Sequence, residues 1–355
     1  MPQKFNIAVI GGDGIGPEVI EAALPILETA ASKQNSQLQW DRLPYGAEHF
    51  LKTEETLPEA AFEKIRDTAD AVFLGALGDP RVPGNEHARD ILLGLRFKLD
   101  LYVNFRPCVL IHPDLCPLKE GPDGPLDIDF VIFRENTEGS YLGRGTEKDV
   151  GTPDEEQIAE EVHTARKVER IIRAAFEWAK SNGRGRVTMS DKSNAIPAHR
   201  LWGRLFKKIG EEFPDIDQEH RYVDALAMEL VRDPERFDVI VTSNLFGDIL
   251  SDLGAELVGG LGVAASANLH PGRPGLFEPV HGSAPPLVGT GQANPIAAIL
   301  TGASMLGNLG LDEAQNAVEH AVKLAFQERM TTPDLGGKGS TQEVADWIHD
   351  QVRSA

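Results

Sequence analysis

Cysteine is nearly absent. Cys108 and Cys116 are the only two in 355 residues, and neither has His or Cys partners at zinc-like spacing, which excludes a disulfide framework and a structural zinc site. No uninterrupted apolar run reaches the length of a membrane span, and the opening MPQKFNIAVIGG lacks a signal-peptide apolar region, so a cytoplasmic place is expected. Basic residues are in deficit. Thirty-five Lys and Arg against 55 Asp and Glu leave a formal charge of −20, which repels nucleic-acid phosphates and anionic bilayers. No local basic patch offsets this, so neither nucleic acid nor membrane is an expected partner. Repeats and low-complexity segments are missing too. What remains, 41% hydrophobic and 25% charged, is a globular chain long enough for two domains.

Short apolar strands alternate with helical patterns, which predicts an α/β architecture. Strands are expected at Phe5–Ile10, Ala71–Leu74, Phe130–Phe133, Arg186–Met189 and Phe237–Val241. Helices are expected at Pro17–Ala31, Arg89–Leu99, about Asp154–Ser181, Ala297–Gly307 and Asp312–Gln327. The Pro, Gly and Asp-rich stretch Cys108–Asp129 and the Gly-rich stretch Leu261–Gly291 are the expected crossings between domains. Domain boundaries follow at 1–104 with 259–355, and at 105–258.

In DVIVTSNLFGDILSDLGAELVGGLG, a buried strand runs into a helix from Asn244. Leu245, Ile249, Leu253 and Leu257 recur at four-residue steps and are expected to line one buried stripe. Asp248 and Asp252 lie on another stripe, one turn apart, where like charges repel by roughly 0.2–0.5 kcal/mol. A divalent cation between them removes that liability, and oxygen ligands of this kind suit Mg²⁺ or Mn²⁺. A pair of solvated carboxylates on a surface helix is the plainer reading of the same spacing.

Three arginines end apolar segments: Arg96 in ILLGLR, Arg106 in VNFRP and Arg134 in VIFREN. A guanidinium fork pairs bidentately with carboxylate, so three converging forks describe a pocket for an acid with more than one carboxylate. Lys192 directly follows a strand, in MSDKSNAIP, at the end where α/β proteins place their chemistry. Tyr141 follows Arg134 in a Gly-rich loop. The turn IGGDGIGPEV invites a dinucleotide reading, but Gly11, Gly12, Gly14 and Gly16 miss the G-x-G-x-x-G register and Pro17 sits where glycine packing is needed. No acidic strand end follows about twenty residues on to hold a ribose.

The motifs GDGIGPE, LGLRFKLDLYVNFRP, RENTEGSY, DKSN, SNLFGDILSD, FEPVHGSAP and ANP occur in order from Gly12 to Pro295. Through them the chain resembles, end to end, the β-decarboxylating dehydrogenases, which act on 3-isopropylmalate, isocitrate, homoisocitrate, tartrate or D-malate. The resemblance implies a two-domain, non-Rossmann α/β fold with its active site in the interdomain cleft. It implies that Arg96, Arg106 and Arg134 clamp the malate moiety, that Asp224, Asp248 and Asp252 ligate Mg²⁺ or Mn²⁺, and that Tyr141 and Lys192 are acid and base. Ile15, Glu278, His281, Gly282, Ser283, Ala284 and Asn294 are then the cofactor-binding set, and a homodimer shares Lys192 and Asp224 between subunits.

Leu92 and Leu93 precede Arg96 in the segment that faces the C3 substituent in this family. Two leucines favour an isopropyl group, whose burial stabilises at about 0.8 kcal/mol per CH₂, so the expected reaction is NAD-linked oxidative decarboxylation of 3-isopropylmalate. RENTEG is nearer the homoisocitrate, tartrate and D-malate members, which stand as alternatives. Pro286 and Leu287 replace both the acid common in NAD-linked members and the Lys-Tyr pair of NADP-linked ones, and NAD is the expected cofactor for want of a cation to receive a 2′-phosphate. A non-catalytic regulatory paralogue is the reading of another class; Lys192, Tyr141 and the three aspartates, whose loss it would entail, are all present.

Overall fold

The computed structural model describes residues 2–119, 121 and 124–355; positions 120, 122 and 123, in the stretch expected to cross between domains, lie outside them. The chain forms two compact units. One comprises Met1–Leu101, Leu110–Pro125 and Ala255–Ala355, the other Tyr102–Val109 and Leu126–Gly254. The units part a few residues before each boundary read from the sequence, and Leu110–Pro125 packs with the first unit. Leu261–Gly291 is not a crossing. It lies wholly in the first unit, where its short apolar runs pair as strands.

The first unit opens with β1 (Gln3–Gly12), α1 (Gly16–Lys33), β2 (Ser36–Leu43), α2 (Ala47–Thr53), α3 (Glu59–Thr68), β3 (Ala71–Ala76) and α4 (Glu86–Lys98). Every residue of β3 is buried, as its unbroken apolar sequence requires of a strand covered on both faces. The second unit follows with β4 (Val103–Val109), β5 (Asp129–Glu135), β6 (Gly145–Lys148), β7 (Glu156–Ala159), α5 (Ala165–Ser181), β8 (Arg186–Asp191), α6 (Arg200–Gly210), β9 (Asp217–Tyr222), α7 (Val223–Arg232), β10 (Val239–Thr242) and α8 (Asn244–Leu257). The chain then returns to the first unit through β11 (Ala267–Leu269), β12 (Gly275–Phe277), α9 (Ile296–Asn308), α10 (Asp312–Gln327) and α11 (Thr341–Ser354).

In the first unit β1 lies between β2 and β3, all parallel; β12 joins β3 in parallel and β11 joins β12 antiparallel. A dinucleotide fold instead has β2 between β1 and β3, so this sheet is not a Rossmann sheet. The glycine turn after β1 is a close approach of backbones. Gly14 has φ 58°, and a Cβ there would lie 1.9 Å from the Ser283 carbonyl oxygen, so no larger residue fits. Asp13 fastens this turn, its buried carboxylate accepting from the Ala47 and Gly78 amides and lying 2.7 Å from His87 Nε2.

In the second unit β4 pairs antiparallel with β5, and β5, β10, β8 and β9 run parallel in that order. The long helix read from Asp154 begins only at Ala165. Glu156–Ala159 instead pairs antiparallel with Gly145–Lys148, and Thr164, bonded through its amide and hydroxyl to Glu138, stays extended at the helix start. The leucine stripe of α8 is also revised: Leu257 is buried, but Leu245 is 36% and Ile249 59% exposed. Leu250, Ser251, Gly254 and Ala255 face inward instead, and a Cβ on Gly254 would meet Cys108 Sγ at 2.6 Å. Both cysteines are free, and burial pushes the Cys108 thiol up to about 12. No helix among the described residues is long and apolar enough to cross a membrane.

Candidate active site

Sheet register brings two of the arginines together. Asn104 on β4 stands opposite Arg134 on β5, and Arg106 is two residues from Asn104, so all three side chains leave the same face of the sheet. Asn104 Oδ1 accepts from Arg106 Nε at 2.8 Å, and Asn244 Oδ1 at the start of α8 accepts from Arg134 Nε at 2.9 Å. Asn244 also donates to the Glu138 carbonyl, so one amide fixes the guanidinium and the RENTEG turn together. Gly247 permits this packing, because a Cβ there would meet the Arg134 side chain at 2.5 Å.

Asp248, one turn into α8, forms an ion pair with Arg134 Nη1 and accepts from the Tyr141 hydroxyl at 2.6 Å. Burial pushes its carboxyl up, but Arg134, the Tyr141 hydroxyl and Arg106 outweigh burial and hold it below the ordinary aspartate range. Asp252 departs the other way. Burial and the neighbouring Asp248 charge raise it against the pull of Arg106 and Arg134, and it has no hydrogen-bond or ion-pair partner among the described residues. A carboxylate with open oxygens beside a second carboxylate is a donor set for a hard cation.

Lys192 follows β8 directly and Asp224 lies in the first turn of α7, which follows β9. The parallel pairing of β8 with β9 sets Asp191 opposite Tyr222, so the two side chains emerge at adjacent strand ends, and Lys192 Nζ donates to Asp224 Oδ1 at 2.6 Å. That lysine holds the Asp224 carboxyl below its usual range. Sequence reasoning passed over the supports of this loop: Asp191 accepts from the Ser193 amide and bonds His220, while His199 Nδ1 accepts from the Lys192 amide.

In the first unit Arg96 is 7% exposed and donates through Nη2 to Glu278 Oε1 at 2.6 Å, where Asn268 Nδ2 also donates. Glu278, expected beside the cofactor, is therefore a holder of Arg96. Leu92 packs against the core cluster of Ile91, Leu95 and Leu276, whereas Leu93 is half-buried and outside it. The Ile15 amide donates to the Ser283 carbonyl at 2.9 Å, and Ala284 takes φ 40°. His281 Nδ1 lies 3.1 Å from the Gly282 carbonyl, which can only accept, so the ring proton is on Nδ1 and the buried, unpartnered Nε2 offers a lone pair. Gly282 is exposed, and Asn294 is tied through Nδ2 to Asp334 and through Oδ1 to the Ile296 amide.

A sheet face that gathers two buried guanidinium groups, a hydroxyl donor and the open Asp252 carboxylate defines the class of enzymes that handle poly-acids. The chain belongs to the isocitrate/isopropylmalate dehydrogenase family, whose profile matches residues 6–348. It is 43% identical over 355 residues to the 3-isopropylmalate dehydrogenase of Streptomyces avermitilis, covering 99% of each chain, and 44% identical over 342 residues to that of Mycobacterium marinum, covering 94% of this chain and 98% of the relative. Among solved structures, the isocitrate dehydrogenase of Methylococcus capsulatus matches with TM-score 0.85 at 39% identity over 98% of this chain and 99% of that one. A beta-decarboxylating dehydrogenase of Thermococcus kodakarensis matches with TM-score 0.81 at 35% identity, over 99% and 96%. The chain is thus a dehydrogenase with the α/β fold expected of it.

Proposed function

We propose that the protein oxidises and decarboxylates (2R,3S)-3-isopropylmalate, giving 4-methyl-2-oxopentanoate and CO₂ with reduction of NAD, a step of leucine biosynthesis. The observation that carries this reading is the Arg134–Asp248–Tyr141 cluster with Asp252 open beside it. Arg96, Arg106 and Arg134 take the substrate carboxylates as charge-assisted forks. Asp224, Asp248 and Asp252 fit a Mg²⁺ or Mn²⁺ ion by donor chemistry, and such an ion, when bound, lowers the pKa of the C2 hydroxyl and stabilises negative charge on its oxygen. Lys192 accepts the hydroxyl proton while hydride leaves C2 for the nicotinamide. The β-carboxylate then departs as CO₂, and Tyr141 gives its hydroxyl proton to the carbon it leaves. Leu93 is the residue we assign to the isopropyl group.

One atom of the cofactor set supports a dinucleotide ligand. His281 Nε2 offers a lone pair to a ligand donor, and neither Pro286 nor Leu287 supplies a cation to receive a 2′-phosphate, which favours NAD. Steady-state kinetics with both cofactors test this, and a higher kcat/KM with NADP overturns it.

A second copy of the chain covers the exposed Leu245 and Ile249 of α8 and Met228 and Val231 of α7, 36% to 60% exposed here, in a homodimer that shares Lys192 and Asp224 between active sites. A monomer in analytical ultracentrifugation would remove that part of the reading. The spelling RENTEG argues little for the tartrate, D-malate or homoisocitrate members. Asn136, Thr137 and Glu138 are 2–3% exposed, and Thr137 and Glu138 bond Glu135, Arg170 and Thr164 within this unit. NADH formation with Mg²⁺ across a panel of 2-hydroxy di- and tricarboxylic acids tests the whole proposal. Isopropylmalate is expected to give the highest kcat/KM, and silence across the panel would leave the regulatory-paralogue reading.

A further inference from the structure

Glu161, His163 and His199 gather in the second unit with one ligand atom of each within 4.8 Å of the others, a carboxylate–imidazole set of the kind that holds zinc. Both rings are buried, 2% and 1% exposed, and their Nε2 atoms lie 3.1 and 3.0 Å from the same Glu161 oxygen. The other face of each ring decides between a metal and a scaffold. A metal-bound imidazole carries its proton on the far nitrogen and donates it to an acceptor. Here the far nitrogens face groups that can only donate: the Lys192 amide, 3.0 Å from His199 Nδ1, and the Trp202 indole N–H, 3.3 Å from His163 Nδ1. The lone pairs therefore sit on Nδ1 and the protons on Nε2; the His199 proton bonds Glu161, whereas His163 Nε2, 3.1 Å from the same oxygen, makes no hydrogen bond to it. With these two rings beside it, the Glu161 carboxyl is depressed to about 2.

We propose that Glu161 and His199 are positioning residues for Lys192. The carboxylate fixes the His199 tautomer and ring plane, and the ring in turn holds the main chain from which the Lys192 side chain reaches Asp224. Further contacts set the geometry. The Ala195 and Ile196 amides donate to the Lys192 carbonyl, which curls DKSNAIPAH back so that position 199 meets position 192. Phe246 of α8 lies edge-on to the His199 ring at a 5.3 Å centroid distance, so the ring also abuts the helix that carries Asp248. The alternative role, a bound Zn²⁺, would require both Nδ1 atoms to turn from acceptor to donor.

This inference rests on the reading of Lys192 as the general base, and its test has one arm that does not. His199→Asn keeps an acceptor oxygen where Nδ1 stood; His199→Gln reaches towards Glu161 and leaves the Lys192 amide without a partner. Amide hydrogen exchange at Lys192, read by NMR, is expected to stay within about threefold of wild type in H199N and to quicken at least tenfold in H199Q. Equal exchange in the two variants overturns the positioning role whatever the substrate. The kinetic arm expects H199Q to lose at least tenfold in kcat with KM for the hydroxy acid within about twofold, and H199N to restore most of it. Lysine dependence is controlled separately: if Lys192→Ala keeps wild-type kcat, the general-base reading fails while the exchange result stands. Stoichiometric zinc in the purified wild type that is lost in Glu161→Gln would replace the scaffold with a metal site.

Discussion

Tyr141 donates its hydroxyl hydrogen to Asp248 Oδ2 at 2.6 Å, and the other oxygen of that carboxylate pairs with Arg134. A proton donor, an anion and a guanidinium are thus locked in one chain of contacts at the start of α8. Tyr141 is itself 37% exposed, and a phenylalanine keeps its ring under Arg134 while removing only the hydroxyl. Tyr141→Phe is expected to lower kcat about 10²–10⁴-fold, the range of general acid catalysis, while unfolding free energy falls by only about 1–2 kcal/mol for the lost bond to Asp248. Steady-state kinetics beside urea unfolding check the pair of outcomes, and an active phenylalanine variant would assign the proton to another group.

Asp252 has a different signature. In the free protein burial, together with the Asp248 charge, outweighs the pull of Arg106 and Arg134 on its carboxylate, so Asp252→Asn should leave stability unchanged or raise it by roughly 0.2–0.5 kcal/mol. The same change should abolish most of the rise in melting temperature that Mg²⁺ gives the wild type, since the ligand charge is what attracts a hard cation. Calorimetric melting with and without Mg²⁺ reads both, and an undiminished metal response would move the ion elsewhere.

Leu92 and Leu93 divide by packing. Leu92→Ala opens space against the core cluster and is expected to cost about 1–2 kcal/mol of stability with KM nearly unchanged. Leu93→Ala should leave stability alone and raise KM for isopropylmalate about tenfold, as contact with the substituent is lost. The reverse pattern in denaturation and kinetics would hand the substrate contact to Leu92.

Arg96 and Glu278 are a buried ion pair, 8% and 10% exposed, so deleting one partner strands a charge. Glu278→Ala is expected to cost about 3–5 kcal/mol in urea unfolding, and adding Arg96→Met should recover part of it. A loss below about 1 kcal/mol would mean that water reaches the pair.

Glu161 supplies a pH dependence. Its folded pKa, about 2, lies below the ordinary 4.5, so its stabilisation is full above pH 4.5 and is lost as pH falls towards 2. At about 1.4 kcal/mol per pH unit the full shift corresponds to roughly 3.5 kcal/mol, which solvent screening of the partly exposed carboxylate lowers, so the difference between wild type and Glu161→Gln should be on the order of 2–3 kcal/mol near neutrality and should close across that window. Urea midpoints of both proteins from pH 6 to 2.5 test it, and a pH-independent gap would refute the ionic account.

The α/β class, the central strands and the start and end of α10 follow from the sequence alone. Buried parallel strands carry unbroken apolar runs, and helices carry a period that can be counted. Tertiary structure decided what no period encodes. The stripe on α8 with Leu245 and Ile249 is as apolar as its neighbour, yet it faces outward because Gly247, Gly254 and Ala255 let the other side pack close. Glu156–Ala159 reads as the start of a helix and becomes a strand because Gly145–Lys148 offers it a ladder. Asn104, Asn244, Glu161 and His199 carry no spacing signal at all; strand register and a curled loop bring them to Arg106, Arg134 and Lys192. Side-chain chemistry is local and legible, whereas which groups share a hydrogen bond depends on chain segments 110 or 182 positions apart being packed to within 3 Å.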